Sequence, residues 1–162
     1  MAHAFKYWQD KKSACKTEYP SLKDIQLMDL HSIAQYLLIS DVVRNDNQPR
    51  QYRWRYWGTF LTNAFGLEIS GKLIHEALTN KTHNLIAGAY NWMVENGQPH
   101  FWVRRGGFEF DDQDHLIYQR LVCPREGPSC EIDYLFGIFI FTLRTKHYLM
   151  PYNSSDKRAD IT

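Results

Sequence analysis

Residues 51–57, Gln-Tyr-Arg-Trp-Arg-Tyr-Trp, alternate in a strict period of two. Tyr52, Trp54 and Tyr56 fall on one face, and Arg53, Arg55 and Trp57 on the other, which predicts a β-strand. Residues 36–43 are short, apolar and partly β-branched and predict a strand before it, with residues 45–49, Asn-Asp-Asn-Gln-Pro, as the turn. From Gly58 the texture becomes helical. Its longest helix is expected over 82–96, with Leu85, Ala89, Trp92 and Met93 on the buried side and Gly66, Gly71 and Gly97 at helix ends or turns. Strands return at 101–108, 116–123 and 134–145, joined by turn-rich links at 111–114 and 124–130. Ahead of all this, 4–16 predicts a short helix with Phe5, Trp8 and Lys12 on one side, ended by Pro20. Asp24 is placed to cap a further turn or two whose apolar face is Ile25, Met28 and Leu30. The polar run from Asn153 reads as disordered.

At 162 residues the chain has the size of one domain, and its 44% hydrophobic and 23% charged residues are globular values. The 15% aromatic content changes the picture of the core, which should be built largely from rings. A net charge of +1 makes no case for nucleic acid or an anionic membrane as partner. Three cysteines without CxxC spacing argue against a disulfide framework and a structural zinc site. The first sixteen residues lack the apolar run of a signal peptide, and the longest apolar run, 134–143, is half of the ~20 residues a membrane helix needs. A cytoplasmic protein is the expectation.

The order of elements, two strands, a helical middle and three strands, is that of PAS domains. Tyr19-Pro20-Ser21-Leu22-Lys23-Asp24-Ile25 resembles the opening of a family of single-domain bacterial PAS proteins common in alphaproteobacteria. Tyr52-Arg53-Trp54-Arg55-Tyr56-Trp57-Gly58-Thr59 resembles that family's second strand, and Phe65-Gly66-Leu67-Glu68-Ile69-Ser70-Gly71-Lys72 its following "F-G-x-x-l-T/S-G-K/R" segment. The match spans about 19–143. It implies an α+β fold: a five-stranded antiparallel sheet of order 2-1-5-4-3 with helices packed across one face. The division that follows is an N-terminal helical extension at 1–18, the PAS domain at 19–148 and a disordered tail at 149–162. The resemblance also implies a sensory or adaptor protein without enzymatic activity, acting in bacterial signal transduction. It would bind a small molecule, a signalling protein, or both, and would pair as a homodimer.

Candidate ligand-binding residues follow from the elements that should face one another. Tyr56, Leu73, Leu78, Trp92, Phe101 and Phe139 are large apolar groups placed to wall a cavity between the sheet and 60–92, with Arg55 and His75 as polar members. Arg53 and Arg55 leave two readings open: a fork for an anionic ligand or partner carboxylate, or cross-strand pairing with a neighbour such as Asp41. His75 and His83 raise haem ligation, but a single histidine near a helix end is more often a surface residue, which reads against haem. Flavin photochemistry is read against too, because the helices lack the cysteine that light-sensing PAS domains carry. Cys123 and Cys130 flank a Pro/Gly loop, and Cys123 reads as a small buried hydrophobe. Glu109, Asp111, Asp112 and Asp114 read as solvated turn residues.

No nucleophile elbow, phosphate-binding loop, zinc-protease or dinucleotide motif is present. The competing class is a small enzyme on a cone-shaped α+β fold with a buried His or Asp base. Its long helices precede most of the sheet, whereas two strands precede the helices here. Phe5, Tyr7 and Trp8 lie outside the domain so drawn, and residues 4–16 are therefore expected at the interface of a homodimer.

Overall fold

The computed structural model describes residues 2–21, 23–105, 116–127 and 131–143. Its strands are β1 (Leu37–Val43), β2 (Gln51–Trp57), β3 (His100–Arg105), β4 (Leu116–Glu126) and β5 (Ile132–Leu143). Its helices are α1 (Ala2–Ala14), α2 (Thr59–Phe65), α3 (Ile74–Ala77) and α4 (Asn80–Asn96), with a 3-10 segment over Leu27–Tyr36. The strands form one antiparallel sheet of order β2-β1-β5-β4-β3, the expected order, with β1 central beside β5. The cone-shaped alternative is not the fold observed. The 106–108 and 144–145 ends of two expected strands, the acidic 109–114 cluster, Cys130 and the 149–162 tail lie outside the described residues.

One face of the sheet takes the helices. Phe139 and Phe141 of β5 and Tyr118 of β4 meet Phe65 of α2 at ring-centroid distances of 5.2–5.7 Å. Tyr90 of α4 stands edge-on to Tyr52 at 5.1 Å and accepts a 3.5 Å bond from the Trp54 indole N–H. The interior is the aromatic core that the composition implied.

Four details depart from the sequence pattern, each for a local reason. In β2 the pairing passes from Ile39–Tyr56 to Ser40–Trp54, so Arg55 is an extra, bulged residue. A bulge resets the alternation. Trp57 therefore joins Trp54 in the core, 4% and 0% exposed, and Tyr56 turns away to donate its hydroxyl to the Ala34 carbonyl at 3.1 Å. In α4 the buried positions are Thr82, Ile86, Tyr90 and Met93, about one residue round from the expected stripe, which leaves Leu85 and Trp92 exposed. In the Leu27–Tyr36 segment a three-residue period brings Leu27, Leu30, Ile33 and Tyr36 to the core and leaves Met28 at 78% exposure. Asp24 does not cap that segment. Its carboxylate accepts from the Ser21 N–H and hydroxyl, both at 2.7 Å, and these bonds hold its pKa below the usual carboxylate value.

The N-terminal helix folds back on its own domain. Ala4 and Trp8 are 1% and 3% exposed, and the Trp8 indole donates to the Pro124 carbonyl at 3.0 Å. Arg125, wholly buried, donates to the Ser21 carbonyl at 2.7 Å and, more weakly, to that of Ile25 at 3.4 Å. The buried side of the 4–16 helix is thus spent within the monomer rather than on a second copy.

Candidate functional site

The expected wall residues do not converge on one cavity. Phe139 (1%) and Leu78 (7%) are buried, and Leu73 is half-buried at the start of α3. Trp92 (45%) and Phe101 (52%) face outward, which corrects their assignment as wall residues. The helix is rotated at Trp92, and the alternation of β3 turns His100, Trp102 and Arg104 inward while Phe101 and Val103 point out. His75 is exposed beside His83, their rings 6.0 Å apart and edge to face. Arg55 lies on the outer side of the sheet, donating to Asp41 at 2.7 Å with its guanidinium 5.3 Å from the centre of the Tyr134 ring. The cross-strand reading of Arg55 is the one observed.

Two hollows of about 600 and 430 Å³ open on the surface, and neither reaches Leu73, Leu78, Trp92 or Phe139. Their arginines are already satisfied. Arg50 pairs with Glu95, Arg44 with Glu131 and Asp133, and Arg55 with Asp41.

The inner face of β3 and β4 is different, and the sequence pattern does not single it out. Arg120 is 2% exposed, yet it lies opposite Trp102, with its guanidinium 4.6 Å from that ring's centre, 5.5 Å from Tyr90 and 6.0 Å from Phe139. His100 and Arg104 flank it diagonally from β3. Burial, and then the charge of Arg120, hold the His100 imidazole below its ordinary pKa. Arg104 hydrogen-bonds the hydroxyl of Tyr118, whose pKa burial raises. One buried nitrogen of each, His100 Nδ1, Arg104 Nη1 and Arg120 Nη2, has no hydrogen-bond partner among the described residues. The available signal was His100-Phe-Trp-Val-Arg104, whose alternation places a histidine and an arginine on the same face as the tryptophan between them.

No group of three or more His, Cys, Asp or Glu able to hold a metal occurs among the described residues. No helix among them is long and apolar enough to cross a membrane. Cys123 is buried, which pushes its thiol pKa well up, as the hydrophobe reading expected.

No protein-family model matches the chain, and no curated protein matches it. Solved structures do. A light-oxygen-voltage domain, whose mechanism was studied with a flavin analogue, is similar over 75% of this chain and 86% of its own, at 13% identity and a TM-score of 0.50. The Aureochrome1 blue-light photoreceptor domain in its dark form is similar over 76% and 86%, at 14% identity and a TM-score of 0.46.

The fold is a PAS fold. The first likeness, together with the strand order, carries that statement. It also corrects an expectation: the missing helix cysteine was read against flavin, and a domain linked to a flavin analogue shares this PAS fold, so that reading does not stand. Between the PAS sheet and its helices, Trp54, Trp57, Phe65, Tyr90, Met93 and Phe139 are 4% exposed or less.

Proposed function

We propose that the chain is a PAS sensory or adaptor module of bacterial signal transduction, located in the cytoplasm and binding rather than catalytic. It takes up a small molecule at the inner face of β3 and β4 and passes its state on through contact with a protein partner or a second copy. The PAS fold and the resemblance of residues 19–72 support the sensory role. The observation that carries ligand binding is the polar corner itself: one buried nitrogen each of His100, Arg104 and Arg120 without a partner among the described residues, beside an aromatic core. Buried polar groups ordinarily have partners, and the exceptions call for an explanation such as a ligand.

Native mass spectrometry of the protein as purified, with its visible absorbance spectrum, tests the reading. A bound small molecule, released on denaturation, is the expected result, and a flavin would show in the spectrum. A ligand-free protein that takes up nothing from a metabolite extract would overturn it.

A further inference from the structure

We propose that His100, Arg104 and Arg120 form a receptor for a small oxyanion, the carboxylate or phosphate group of a metabolite, beneath α4. The inference rests on the sensory reading and names the class of its ligand.

Strand register sets the three residues next to one another. Arg120 pairs across the ladder with Trp102, so the inward side chains of His100 and Arg104 lie on its two diagonals. The rings of Trp102, Tyr90 and Phe139 contact the guanidinium. Cation–π contact of this kind does not satisfy the N–H groups on its edge. Those edges need an acceptor, and Arg120 Nη2 and Arg104 Nη1 have none among the described residues, while His100 Nδ1 beside them has no hydrogen-bond partner either.

Arg44, Arg50 and Arg55 each hold a carboxylate. Arg125 donates to two carbonyls through Nη2, while its Nε and Nη1 are buried without a partner among the described residues. What sets the β3–β4 corner apart is that such nitrogens of three residues lie side by side on neighbouring strands. The β3–β4 pair of arginines holds no described carboxylate, although Arg120 is among the most buried residues of the protein. A desolvated guanidinium is stable when its charge is matched by hydrogen-bonded opposite charge. Two planar guanidinium forks on neighbouring strands suit an oxyanion, whose oxygens accept in parallel pairs. The imidazole, whose pKa burial and Arg120 lower, adds one more polar group at the same edge. A neutral ligand would leave the charge unmatched.

The test is thermal unfolding and tryptophan fluorescence of the full chain against inorganic phosphate and, separately, acetate, with chloride at matched ionic strength as control. Trp102 lies against the Arg120 guanidinium and reports occupancy. One of the two oxyanions should raise the melting temperature by about 5–10 °C at about 100 times its Kd and change the fluorescence saturably. A response to phosphate alone marks a phosphate ligand, and a response to acetate alone a carboxylate. Arg120→Met should abolish the response while leaving the protein folded, because an apolar side chain of similar length removes the unmatched charge. Arg104→Gln, at a more exposed position, should weaken the response at least tenfold and guards against a folding defect in the first variant. Two results overturn the inference: no saturable response in the wild type, as when one of the chain's own carboxylates fills the place, or an undiminished response in both variants. If oxyanions fail while native mass spectrometry finds a neutral ligand, the inference falls and the sensory reading stands.

Discussion

Trp54 and Trp92 have the same side chain and opposite situations. Trp54 is wholly buried, its ring 5.2 Å from that of Trp57, while Trp92 is 45% exposed on α4 with its ring 5.9 Å from His100. Truncating a large buried ring removes both its transfer energy and the packing around it. Trp54→Ala should cost about 3–5 kcal/mol in urea unfolding, and Trp92→Ala within about 1 kcal/mol. Equal costs would mean that α4 presents the wrong face to the sheet. Ranking the residues of α4 by hydrophobicity alone puts Trp92 inside. Tyr90 takes the inner position instead, since its hydroxyl has somewhere to go, the Trp54 indole.

At the scale of elements, the succession of strands and helices is legible in the sequence from its periods and turn residues, while the strand order and the central pairing of β1 with β5 come from the resemblance to PAS domains. Faces within elements are less legible. One bulged residue, Arg55, moves Trp57 from the outer side to the core, and nothing in a strictly alternating heptapeptide announces it. The candidate site is the least legible for the same kind of reason. Nothing in the sequence pattern singles out Arg120 or Arg104; the alternation of each strand turns them inward, and the register of β3 on β4 sets them diagonally. The junction between β2 and α2 offers a test of element packing. Gly58 has an ordinary φ of −64°, but a Cβ there would overlap the Gln35 carbonyl, at the end of the 3-10 segment. Backbone cannot swing away as a side chain can, so Gly58→Ala should destabilise by about 1–3 kcal/mol, measured by chemical unfolding. A neutral effect would show the two segments to be less closely apposed.

For the whole molecule, the outer face of the sheet is covered at one end and bare at the other. Phe101 and Val103 of β3 and Ile140 of β5 remain 52%, 51% and 37% exposed on that face. Among the described residues this strip is one exposed apolar surface open to self-association, and a closed two-fold pair would bury it twice. Sedimentation velocity should show a dimer that Phe101→Glu converts to a folded monomer. A wild-type chain that sediments as a monomer rejects the pairing. The way α1 is tied down also sets a timetable. Its indole bond to Pro124 spans 116 residues, and the Arg125 bond that fixes the chain just after it spans 104. Loops that long close late, since their entropy must be met before the contact returns anything. During synthesis α1 therefore emerges well before the strand that receives it. Until β4 has been made, the Trp8 indole lacks the Pro124 carbonyl that it donates to in the fold.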